Sequence, residues 1–232
     1  MGKKIGIGLV AALMGFVILY GAGFINFGSS ADPTNTEVPV GVVPAFVDQT
    51  DVSWTLNPDS KAASTMVIWE DPQCPACAIF EATFGPALKL LIADDKIKVS
   101  LRPTTFLDRG YPGRHSARAV NAWACAIEAG QGQGFHDALY LSQPATEGDG
   151  WTDERFKEIA GAVGISGDAK TKFDGCVDAG TYYKWGVEST KMFDDLGVPG
   201  TPNITLDGVE VPVDVLKSGP DAFTAWVNEN AK

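Results

Sequence analysis

Met66-Val67-Ile68-Trp69-Glu70-Asp71-Pro72-Gln73-Cys74-Pro75-Ala76-Cys77 is the stretch on which the reading of this chain turns. Met66 to Trp69 is a short apolar run, the pattern of a buried strand. Pro72 to Cys77 is a turn leading into a helix predicted from about Cys74 to Ala93, with Pro86 as a kink or break inside it. The pair Cys74-Pro75-Ala76-Cys77 therefore sits where a strand hands over to a helix. Residues three apart on a helix share one face, so two thiols there can close a small disulfide. Cys74 would lie beside the unpaired N–H groups and the positive dipole end of the helix, which favour its thiolate, the reactive form of cysteine. Cys77, one turn inside, suits the resolving of a mixed disulfide. Two blander readings compete. Half of a zinc site would need two more ligands at matching spacing, but Cys125 and Cys176 form no second C-x-x-C, and His115 and His136 are the only histidines. A plain structural disulfide would not need this position between strand and helix. Redox chemistry is the favoured reading.

Outward from this stretch, Ile97-Lys98-Val99-Ser100-Leu101 alternates as a strand should. Helical spacing then recurs over 116–129, 135–142, 152–162, 168–177 and 181–196, with glycine-containing breaks between. The aromatics Tyr182, Tyr183 and Trp185 fall in the last of these and read as core. Strands return at 203–206 and 209–211, flanking Asp207-Gly208, a strong hairpin signal. Residues 220–230 close with a helix that has Pro220 in its first turn. The order strand–helix–strand, a block of helices, then strand–strand–helix makes an α/β chain with a helical insertion between its halves. No phosphate loop or dinucleotide fingerprint is present.

Three stretches resemble one family. Val67 to Cys77 is similar to the active-site strand, loop and helix start of DsbA-like thiol–disulfide oxidoreductases, which have a thioredoxin fold. His115 to Ala126 followed by Phe135 to Tyr140 resembles that family's helical insertion. Gly197-Val198-Pro199-Gly200-Thr201-Pro202-Asn203-Ile204-Thr205-Leu206-Asp207-Gly208 resembles its G-V-x-G-T-P strand entry. The resemblance covers most of residues 50–232. It implies an α/β, thioredoxin-like fold with an inserted α-helical domain at about 112–190. It implies catalysis by Cys74 and Cys77, with Pro75 and Ala76 as the intervening dipeptide. It also implies a cis Pro202 facing the cysteines, with Thr201 offering backbone groups to an extended substrate segment. The substrates implied are reduced exported proteins, reoxidation would come from a quinone-linked membrane partner, and no cofactor or metal is expected. Asn203-Ile204-Thr205 would lie in a core strand and so is not read as a glycosylation site.

Two departures from the family pattern stand out. Ala76 offers only a methyl where many members carry a polar residue that stabilises the thiolate, so the pair should be less oxidising. Ile68 stands six residues before Cys74, where many members have a buried acid. Glu70 and Asp71 are nearby substitutes, but a surface-loop role is expected of each. Thiols outside the cytoplasm tend to be oxidised, and the even count leaves Cys125 and Cys176 as one structural bridge, of a kind some DsbA-like proteins carry within the insertion. Two separate buried cysteines are the other possibility.

The chain has 232 residues and a net charge of −11, with 26 glycines and 14 prolines, too few for a low-complexity chain. A sequence pI near 4.6 argues against a nucleic-acid partner, and a mean hydropathy of +0.01 against a polytopic membrane protein. The distribution is uneven. Lys3 and Lys4 precede an apolar run from Ile5 to Ile25, and no further charge appears before Asp32. Twenty-one helical residues span about 31 Å, close to the hydrocarbon thickness of a bilayer. Residues 1–31 are read as a membrane anchor with the lysines cytoplasmic. Ser29-Ser30-Ala31 leaves cleavage of a signal peptide, and secretion, as the alternative. Residues 32–45 read as a tether and 46–232 as one folded domain. Beyond residue 31 there are 16 basic and 29 acidic side chains, a net −13. The expectation is a membrane-held, extracytoplasmic, monomeric disulfide oxidase. A reductase or isomerase of the same fold is the nearest alternative, and a non-catalytic module stapled by two disulfides a more distant one.

Overall fold

In the computed structural model, residues 41–232 are described; the expected anchor and all but the end of the expected tether lie outside them. Five strands form one mixed sheet: β1 (Trp54–Thr55), β2 (Thr65–Glu70), β3 (Lys98–Pro103), β4 (Asn203–Leu206) and β5 (Val209–Glu210), in the order β1-β3-β2-β4-β5. β2 is central, parallel to β3 and antiparallel to β4. It buries Met66 and Ile68 completely, as the apolar run predicts. Asp207 and Gly208 both take positive φ, 51° and 83°, which is what a two-residue hairpin turn requires between β4 and β5.

Helix α1 (Pro75–Ala93) makes the crossover from β2 to β3. Pro86 sits inside it without ending it, and Ala87, Leu88 and Leu91 beyond the proline are buried. Among the described residues α1 is the helix long and apolar enough to cross a membrane. Phe80, Phe84, Leu88 and Leu91 share one core with Met66, Ile68, Val99 and Leu101 of the sheet, so it is a core helix. Phe84 stands 5.2 Å from both Phe80 and Phe223 of the C-terminal helix.

The chain between β3 and β4 is helical: a 3₁₀ turn (Phe106–Arg109), α2 (His115–Glu128), α3 (Gly132–Leu141), α4 (Asp153–Ala162), α5 (Gly167–Ala179) and α6 (Tyr183–Asp195). α2 packs against α3, α5 and α6. Its alanines 119, 122, 124 and 126 are all fully buried, because close approach on several sides leaves no room for larger side chains. Trp123 packs edge-on to Trp54 and tilted against Trp185, and its indole N–H donates to Gly132 O at 3.0 Å. Thr152 caps α4 by accepting from Arg155 N at 3.1 Å. A disulfide joins Cys125 of α2 to Cys176 of α5, with Cα atoms 5.9 Å apart. The chain ends with α7 (Val213–Lys217) and α8 (Pro220–Asn230).

β1, the 3₁₀ turn and α7 are additions to the sequence reading. Each spans five residues or fewer, too short for a periodic pattern to show. The chain is also pinned ahead of residue 46, since Val42 N donates to Thr181 O at 2.9 Å.

Candidate active site

The loop after β2 is held from both sides. Cys74 N donates to Asp71 O at 2.9 Å, which closes a turn across Pro72 and Gln73. Cys74 is the N-cap of α1, with extended backbone (φ −69°, ψ 116°), and Pro75 follows at the first helical position, where its missing N–H costs nothing. Cys77 and Ala78 both donate their N–H to Cys74 O, at 3.1 and 3.2 Å. The helix start thus fixes the two sulfurs on one turn. Neither cysteine is in a disulfide, and they differ in access: Cys74 is 8% exposed and Cys77 1%.

The Thr201–Pro202 peptide bond is cis. It brings Thr201 O to 3.4 Å from Cys74 Sγ, whose thiol donates to it. The structure therefore places Cys74, Cys77, Thr201 and Pro202 together, with Pro75 and Ala76 between the sulfurs, while Cys125 and Cys176 pair inside the insertion. A hydrogen bond from Cys77 holds the Cys74 thiol down at about 7. Burial opposes this, and the backbone N–H groups of Cys77 and Ala76 reinforce it. The Cys77 thiol is pushed well above the ordinary thiol range, by burial first and then by its hydrogen bond to Cys74 and the charge of Glu70.

Residues of the insertion complete the site. Gln143 Nε2 donates to Pro72 O at 2.7 Å and to Cys74 O at 3.0 Å. Tyr140 packs with both cysteines, and Leu107 lies against them.

The surface-loop role expected of Glu70 and Asp71 does not hold, for both are buried at 1% and 0% exposure. Asp71 is a junction. Its Oδ1 accepts from Gln73 N at 3.0 Å and from Ser116 Oγ at 2.6 Å, and its Oδ2 accepts from Leu107 N at 3.2 Å. Burial still raises its carboxyl well above the usual range. Glu70 Oε1 meets His136 Nε2 at 2.6 Å, so His136 has an acidic partner that no spacing in the sequence reveals. Burial alone would lower the His136 pKa, but the Glu70 charge, with Asp137 and Glu81, raises it well above its ordinary value. Burial pushes the Glu81 carboxyl up to about 7. Among the described residues, Glu70, Glu81 and His136 are the group whose donor atoms could hold a metal ion.

A strand–loop–helix with a dithiol at the helix start, opposed by a cis proline, is chemistry for thiol–disulfide exchange. The family model described as Thioredoxin matches residues 58–229. The chain belongs to the thioredoxin family. Within the thioredoxin family it is DsbA-like. It is similar to MdbA, a thiol–disulfide oxidoreductase of Actinomyces oris, at 26% identity and a TM-score of 0.70, over 83% of this chain and 91% of that one. It is also similar to DsbA of Mycobacterium tuberculosis, at 26% identity and a TM-score of 0.61, over 76% and 91% of the two chains. A curated relative is the serine/threonine-protein kinase PknE of Mycobacterium tuberculosis, 28% identical over 152 residues, or 62% of this chain. The chain spans about a quarter of that relative's length (26%). The thioredoxin-like α/β fold with an inserted helical block, expected from the sequence, is the fold observed.

Proposed function

We propose that the chain is an extracytoplasmic disulfide oxidase that acts on exported proteins through Cys74 and Cys77. The asymmetry of the two thiols carries the exchange chemistry in this reading: the less enclosed sulfur is the one with the lowered pKa, and the resolving sulfur is fully enclosed. In the oxidised enzyme a substrate thiolate attacks Cys74 Sγ, while an extended substrate segment pairs with the backbone at Thr201–Pro202. The Cys74–Cys77 bond breaks, and Cys77 leaves as a thiolate that takes up a proton. A second substrate thiolate then attacks the substrate sulfur of the mixed disulfide. The substrate disulfide forms, and Cys74 departs as the thiolate that its environment favours. Two electrons pass to the enzyme, and a quinone-linked membrane partner takes them back. The apolar run Ile5–Ile25 supports attachment to the membrane.

One observation favours a second reading. A Cys74 pKa of about 7 matches the thioredoxin range rather than the more acidic thiol of strongly oxidising members, which suits a reductase or isomerase. Equilibration of Cys74–Cys77 with a glutathione buffer separates the two. A potential towards −120 mV, on the order of that of DsbA, supports the oxidase, and one near roughly −270 mV supports the reductase. Cys74→Ser should abolish disulfide formation in a reduced model protein; unchanged exchange would remove both readings and leave the non-catalytic module.

A further inference from the structure

Three side chains from three separate elements converge beneath the sheet end of the redox loop. Glu70 ends β2, Glu81 lies in α1 and His136 in α3. Their donor atoms all lie within 4.8 Å of one another. Glu70 and His136 are buried, and among the described residues Glu70 Oε2 and Glu81 Oε1 are enclosed without a hydrogen-bond partner. Two carboxylates facing one imidazole are short of positive charge even when the imidazole is protonated, and an uncompensated buried carboxylate is unfavourable.

We infer that Glu70, Glu81 and His136 form a binding site for one divalent transition-metal ion, of the Zn²⁺ class. One imidazole and two carboxylates are the borderline-to-hard donor set that such ions take, and two carboxylates balance a charge of +2 around a neutral histidine. The ion displaces the proton shared by Nε2 and Oε1, and the pair opens from 2.6 Å to about 3.3 Å so that both atoms reach the ion at about 2.0 Å in tetrahedral geometry. The surroundings fit as well. His136 Nδ1 faces Asp137 Oδ1 at 3.9 Å, the side from which a carboxylate orients a ligating imidazole, and Lys89 holds Asp137 at 2.7 Å. A cavity of about 20 Å³ borders Glu81, His136 and Asp137, room for roughly one water as a fourth ligand. None of the four cysteines takes part. The expectation of no metal rested on cysteine and histidine spacing, and these positions have no spacing to recognise.

The test uses the full chain carrying Cys74→Ser and Cys77→Ser, so that the dithiol cannot bind metal. Equilibrium dialysis against Zn²⁺ should give one ion per chain. Co²⁺ in its place should show d–d absorption without thiolate charge transfer. Glu81→Gln is the key variant, because Glu81 is partly exposed and unpaired and its loss should leave the fold intact. It should weaken binding at least tenfold, and so should His136→Gln. Zn²⁺ should raise the melting temperature of the parent and leave that of Glu81→Gln unchanged. Absence of stoichiometric binding, or binding that survives both substitutions, overturns the site and leaves a cluster that holds protons alone. The readouts are metal stoichiometry, cobalt absorption and melting temperature in a chain without the dithiol, so this inference and the proposed function fail separately.

Discussion

At Cys74 a hydrogen bond from the Cys77 thiol, helped by two backbone N–H groups, outweighs burial and holds the thiol down at about 7. The ordinary thiol value lies near 8.5, so the folded reduced state holds its thiolate more readily than the unfolded chain does. The resulting stabilisation of the reduced form is fully present above the ordinary thiol range and is lost as the pH falls through about 7. Alkylation of the reduced chain by iodoacetamide should therefore show a half-maximal rate near pH 7. A midpoint in the ordinary range would show that the Cys77 donor does not act on Cys74. The same titration should bend the potential-against-pH line there, from about 59 to about 30 mV per pH unit, as the reduced pair binds one proton fewer. Glu70, Asp71 and His136 were all visible as residue types, yet their burial was not. Each owes it to chain that arrives from elsewhere, such as Ser116, Leu107 and α3.

Between elements, two ties set how firmly the site is held. Asp71 links β2 to the 3₁₀ turn and α2 through Leu107 and Ser116. Asp71→Ala leaves three donors unpaired in a buried place, and urea denaturation should show a loss of roughly 2–4 kcal/mol. A loss well below 1 kcal/mol would mean that water reaches the loop. The Cys125–Cys176 bridge spans 51 residues. In the chain-entropy account, closing such a loop contributes about 4 kcal/mol. Cys125→Ala with Cys176→Ala should lower the melting temperature by roughly 10 °C and leave thiol exchange at 25 °C within about twofold. A large loss of exchange at unchanged stability would instead tie the bridge to the chemistry.

Across the molecule, the redox pair belongs to the sheet half of the fold and its cover belongs to the insertion. Tyr140 shares a buried cluster with the two cysteines, and Gln143 binds the loop carbonyls. The insertion therefore forms one wall of the site, packed against the redox loop. The folded part carries the acidic balance of the chain, a net −13 beyond residue 31. If Ile5–Ile25 is a retained anchor, alkaline carbonate should leave the full-length chain in the membrane fraction, with added protease reaching the folded domain from the outer face. A soluble product shortened near Ala31 would establish cleavage and secretion instead.

The order of the longer strands and helices was legible in the sequence, because periodicity, glycine breaks and the Asp207-Gly208 turn are local signals. So was the position of Cys74-Pro75-Ala76-Cys77 at a strand-to-helix junction, since strand, turn and N1 proline adjoin it in the chain. Which polar residues would be enclosed was not legible. Glu70-Asp71-Pro72 has the composition of an exposed turn, and only the folding of the insertion across the sheet end removes it from water. Burial depends on chain far away in sequence, and the meeting of positions 70, 81 and 136 depends on it as well. The sequence by itself thus determined the reactive dithiol and its scaffold. The order of exposure of the two sulfurs followed from the helix start, while the tertiary structure decided how deeply both are enclosed, which charges stand beside them, and whether a buried donor set exists at all.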